Sequence, residues 1–70
     1  MIISARNQLR GRITSITDGA VNGIVTLDIG GGNSVTSSIT MEAIKELNLK
    51  VGGEAYAIIK ASAVMIGIGE

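Results

Sequence analysis

Seventy residues without a single cysteine or histidine can be stabilised in few ways. A chain this short buries only about 60% of the surface its unfolded form exposes, so its own core is marginal. Small domains usually add disulfides, a structural metal or partner subunits. Without Cys no disulfide forms, and without Cys or His a structural zinc site lacks its usual ligands. Association with further copies is the remaining route. The 46% hydrophobic content makes the chain globular rather than disordered.

Hydrophobic patterning then predicts five strands and one helix. Leu9 to Ile16 is rich in β-branched residues and ends at Asp18-Gly19, a turn signal. Val21, Val25, Leu27 and Ile29 share one face of a second strand, whose other face carries Asn22, Ile24, Thr26 and Asp28. Gly30-Gly31-Gly32-Asn33 reads as a hairpin connection, and Ser34 to Thr40 alternates again around Val35 and Ile39. The period then changes: Met41, Ile44, Leu47 and Leu49 fall at helical spacing, with Glu42, Lys45 and Glu46 outside. Thr40 is the expected N-cap, although Ala43 stands where a capping box would want Glu or Gln. Asn48 suits a left-handed stop, and Gly52-Gly53 completes the turn.

Glu54 to Lys60 and Ala63 to Ile68 are expected to close the sheet as a hairpin around Ala61-Ser62. The last strand is apolar on both faces through Ala63, Val64, Met65, Ile66 and Ile68, so a neighbouring subunit is expected to cover it. Five short strands with one helix between the third and fourth predict an all-β fold, an oligomeric five-stranded OB-like barrel, as one domain over 1–70. Such barrels bind oligonucleotides, sugars and proteins, so the fold alone fixes no function.

Six basic and six acidic residues cancel, so no global field draws the chain to nucleic acid or to an anionic membrane. One Tyr with no Phe or Trp leaves no platform for stacking bases. No stretch approaches the roughly 20 apolar residues of a membrane span, and no charged leader precedes an apolar run, so the expected residence is cytoplasmic. Asp18, Asp28 and the Glu residues form no recognisable acid–base pair, so no enzyme and no catalytic cofactor are expected. The glycine run has no Lys-Ser/Thr after it and leads into a strand, which excludes a Walker loop. Arg10 and Arg12 share a strand face and fit either oligomer contacts or solubility.

Two segments concentrate hydrogen-bond donors: Ser4-Ala5-Arg6-Asn7-Gln8 and Lys60-Ala61-Ser62. Arg6 offers five donors in a rigid fork matched to tetrahedral oxyanions, against the plain reading of a surface Arg near a terminus. Ser4 and Asn7 flank it, and backbone N–H groups of an irregular segment can form an anion nest. Lys60 alone would be a solvated strand-end charge, but Ser62 and the N–H groups of the turn make it part of a donor cluster. Thr40 ends a strand at a helix start, where negative charge is favoured; its plain reading is the N-cap, and both roles can coexist.

The blocks Ser4-Ala5-Arg6-Asn7-Gln8-Leu9, Ser38-Ile39-Thr40 and Ile59-Lys60-Ala61-Ser62 resemble the molbindins, small molybdate-binding proteins of the TOBE/Mop type. The resemblance runs from about Ile3 to Ile66. It implies an OB-like fold and a hexamer built as a trimer of dimers. Oxyanion sites are then expected between subunits, with further ones near symmetry axes. It also implies intracellular storage or buffering of molybdate or tungstate. Ser4, Arg6, Thr40, Lys60 and Ser62 match the oxyanion-contacting positions, with Asn7 positioning its segment and Ala61 within the same turn. Residues 67–70 run beyond the usual apolar end and are expected to be a loose tail.

Molybdate arrives with its metal saturated by four oxo groups, so the protein need not ligate the metal. A site of donors without a carboxylate acceptor leaves a phosphate proton unpaired, at roughly 1–3 kcal/mol. Sulfate shares the dianionic charge and must be rejected by size, whereas tungstate matches both charge and size. The competing readings are an OB-like nucleic-acid module and a structural oligomerisation module.

Overall fold

The β-branched run of Ile13, Thr14, Ile16 and Thr17 lies in the longest strand, β1 (Asn7–Thr17), of a computed structural model that describes residues 1–69. β2 (Asn22–Gly30) and β3 (Asn33–Thr40) follow, then a short helix α1 (Met41–Glu46) and β4 (Glu54–Ile59). The strands make one antiparallel sheet in the order β3-β2-β1-β4. β1 is divided between two neighbours. From Asn7 to Arg12 it pairs with β4, and from Arg12 to Thr17 with β2. The register with β2 shifts between Ile13 and Ser15, and an extra residue there bends the strand and increases its twist. Serving one neighbour with each half, and bent between them, β1 curls the sheet into a half-barrel.

At that crossover the backbones come close. A Cβ on Gly11 would lie 2.6 Å from the Asp28 carbonyl oxygen, so only glycine fits without a shift. The β2–β3 hairpin turns through Gly31 and Gly32, whose φ values of 64° and 79° match the twist that two-residue hairpins require. The core is small: Ile13, Val25, Leu27, Ile44 and Ala57, with Ile16, Ile29, Val35, Ile39, Met41, Leu49 and Ala55 packed against it. Two expected core positions differ. Val21 precedes β2 and is exposed, and Leu47 is the helix C-cap and points to solvent.

Thr40 caps α1, its Oγ1 accepting from the Ala43 N–H at 3.0 Å. The helix ends as a Schellman motif: Asn48 takes φ 52°, the Leu49 N–H donates to Ile44 O and the Asn48 N–H to Lys45 O. Arg12 and Arg10 both hold the β1–β4 side together. Arg12 Nη1 donates to Gly52 O at 2.7 Å, and Arg10 lies 4.0 Å from Glu54 in an exposed ion pair.

The expected fifth strand and closed barrel are corrected: residues 60–69 contain no strand, and the described residues form four. The reason lies in the turn. A tight hairpin after Ile59 would need residues with positive φ, and between Lys60 and Val64 there are none. Ala61–Ala63 instead form a 3₁₀ turn closed by the Ala63 N–H on Lys60 O, which leads the chain away from β4. Met65, Ile66 and Ile68 are left almost fully exposed. Glu70, the end of the expected loose tail, lies outside the described residues. The inner face stays open as an apolar groove of about 660 Å³, lined by residues of β2, β3 and β4 with Met1, Leu47 and Leu49. No described helix is long and apolar enough to cross a membrane.

Candidate functional site

The two donor segments, far apart in sequence, meet at one end of the sheet. β1 and β4 run antiparallel with Asn7 opposite Ile59, so the register carried one step further sets Arg6 against Lys60. Asn7 fastens the join, its Nδ2 donating to Ile59 O at 3.1 Å. Ala5 anchors the leading segment from below, with its methyl group buried. Ser4 and Arg6 on either side are exposed, as are Lys60, Ala61 and Ser62 across the join.

The backbone adds to this cluster. In the 3₁₀ turn the first hydrogen bond belongs to the Ala63 N–H, so those of Ala61 and Ser62 have no acceptor among the described residues, as expected for the first residues of a helical turn. The Arg6 N–H likewise has no acceptor among the described residues. Lys60 makes no side-chain capping bond. The local charge is one-sided: no Asp or Glu occurs from residue 1 to 17 or from 55 to 69. A net-neutral chain thus has one end whose side chains and turn amides donate, built from two described segments that carry no Asp or Glu. Such an end can hold a tetrahedral dianion by charge-assisted hydrogen bonds.

Thr40 is not brought to this end. It pairs with Asn22 at the far end of β2, beside the end of β1 at Thr17, on the order of 30 Å along β1 from Arg6. Its Oγ1 serves as the N-cap acceptor, which leaves the hydroxyl proton free to donate. The apolar groove is a separate feature, lined by none of Ser4, Arg6, Lys60 or Ser62 and unsuited to a dianion. Among the described residues no cluster of three His, Cys, Asp or Glu side chains could hold a metal ion.

One contribution was not anticipated from the sequence. Gln8, left without a role, donates from Nε2 to Ala5 O at 2.9 Å. The signal available was an amide three residues after a small residue in an irregular segment. The turn N–H groups beside Ser62 were expected as donors, but on a hairpin; a 3₁₀ turn carries them instead.

A curled antiparallel sheet with a helix between its third and fourth strands defines a small OB-like domain. The chain belongs to the TOBE domain family, whose sequence profile matches residues 3–66. It is 62% identical over 68 residues to a "probable molybdenum-pterin-binding protein" of Haemophilus influenzae, an alignment covering 97% of this chain and 99% of that one. Its fold matches MopII from Clostridium pasteurianum with a TM-score of 0.89 at 43% identity, over 96% of this chain and all of that one. It also matches the cytoplasmic molybdate-binding protein ModG with molybdate bound, with a TM-score of 0.92 at 49% identity. That match takes in 99% of this chain and 49% of ModG, so the chain spans about half of it. The resemblance read from the Ser4–Leu9 and Ile59–Ser62 blocks is borne out, since these relatives are Mop proteins.

Proposed function

We propose that this chain, as a single Mop domain, binds molybdate in the cytoplasm and serves as its store or buffer, taking tungstate equally well. The observation that carries this reading is the Asn7–Ile59 pairing, which sets two donor segments side by side in a carboxylate-free part of the sheet. Molybdate binding by ModG, at 49% identity over nearly the whole chain, supports the choice of ligand. Ser4, Arg6, Lys60 and Ser62 donate to the oxyanion, together with the turn amides of Ala61 and Ser62, and Asn7 holds the segments together.

Thr40 completes the site from a second copy, because within one chain it lies at the opposite end of β1. The site is therefore intersubunit, in a homo-oligomer that we take to be a hexamer arranged as a trimer of dimers. The open apolar groove and the exposed apolar residues 64–69 support association.

Calorimetry with molybdate, tungstate, sulfate and phosphate on one preparation tests the proposal. Molybdate and tungstate are expected to bind within about tenfold of each other, or 1.4 kcal/mol. Sulfate should bind far more weakly, because its shorter bonds do not reach donors spaced for a larger tetrahedron. Phosphate should be rejected by size and by its unaccepted proton, so its deficit should shrink as pH rises and that proton is lost. Sulfate competing as well as molybdate would reduce this to a generic anion site. Arg6→Ala and Lys60→Ala should each weaken molybdate by about 2–5 kcal/mol with the fold intact. Wild-type affinity in both variants would move the site elsewhere.

A further inference from the structure

We infer that Gln8 is a positioning residue for the oxyanion site, holding the Ala5–Arg6 peptide so that the Arg6 N–H faces the ligand. The inference rests on the functional reading above and adds to it a residue that does not itself touch the anion. Gln8 Nε2 donates to Ala5 O at 2.9 Å, and the Ala5 methyl group is buried beneath the same segment. The peptide is thereby fixed at two points. All peptide bonds are trans, so the Ala5 C=O and the Arg6 N–H point in opposite directions. Drawing the carbonyl toward Gln8 turns the amide the other way, and that amide has no other acceptor among the described residues. The alternative orientation would be costly for a dianion, because a flipped peptide would present a carbonyl oxygen in place of a donor. Without Gln8, nothing among the described side-chain hydrogen bonds holds that carbonyl, and the segment lies ahead of the β1–β4 ladder that starts at Asn7.

The test uses the full chain and sodium molybdate. Gln8→Met keeps the length of the side chain and its neutrality but cannot donate. It is expected to bind molybdate about three- to tenfold more weakly, the worth of one neutral hydrogen bond. In amide NMR spectra the Arg6 N–H should shift on saturation with molybdate in the wild type and much less in Gln8→Met. The effect should also persist in the Arg6→Ala background, additively, because Gln8 acts through the backbone amide and not through the guanidinium. A purely structural loosening that misplaces the guanidinium would vanish in that background. If Gln8→Met does not fold, the wild-type titration decides alone, and an unmoved Arg6 amide overturns the inference. Wild-type affinity in Gln8→Met, with Arg6→Ala weakened, overturns the role of Gln8 and leaves the site standing. A wild-type protein that binds no molybdate removes both.

Discussion

At the scale of single residues, Thr40 joins an observed cap to a proposed contact with the ligand. As acceptor it caps α1 through the Ala43 N–H; as donor its hydroxyl proton is free for a ligand. Thr40→Val keeps the shape and removes both. It should lower stability by about 0.5–2 kcal/mol for the lost cap and weaken molybdate by roughly 0.5–1.5 kcal/mol. Thr40→Ser should retain both, since a serine hydroxyl caps as well. Urea unfolding and calorimetry on the same samples separate the two effects; a stability unchanged in Thr40→Val would show the cap to be idle. The capping role was legible beforehand, because a hydroxyl between an alternating run and a helical one suits an N-cap. Gln8 was not, because a short-range contact from a side chain to a carbonyl leaves no periodic trace in the sequence.

Elements were legible where the pattern had a local cause. β2 and β3 alternate because one face of each packs on the core, and Gly31-Gly32 announces the turn between them. The fifth strand was misread for the complementary reason. An unbroken apolar run carries no face information, and Lys60-Ala61-Ser62-Ala63 lacks a residue suited to positive φ, so the hairpin had no turn to make it. The bend in β1 was also hidden, because a register shift is set by two partner strands together and not by β1 alone. Gly11 marks that bend in retrospect. Gly11→Ala would press a methyl group against the Asp28 carbonyl, a backbone atom that cannot swing aside. The expected loss is about 1–3 kcal/mol, read as a lower melting temperature. An unchanged transition would mean that β1 and β2 can separate there at little cost.

For the whole molecule, the sheet buries few side chains fully and leaves both an apolar groove and an apolar tail uncovered. Exposure of that kind in a chain this small marks a surface for association. Light scattering should therefore show an oligomer at micromolar concentration, and the melting temperature should rise with protein concentration, as subunit binding to the folded state requires. A folded monomer under those conditions would remove the assembly and, with it, the intersubunit site. Deleting residues 64–70 should shrink the assembly, since it removes the exposed Met65, Ile66 and Ile68 while leaving every strand in place. The distance between Thr40 and Arg6 then makes a conditional prediction. In the assembled protein Thr40→Val should weaken molybdate; in any folded, dissociated form it should not, because that chain's Thr40 cannot reach its own donor cluster. Thr40→Val weakening both forms alike would place Thr40 beside Arg6 within one chain, against the strand register. Thr40→Val weakening neither would leave Thr40 as a cap alone.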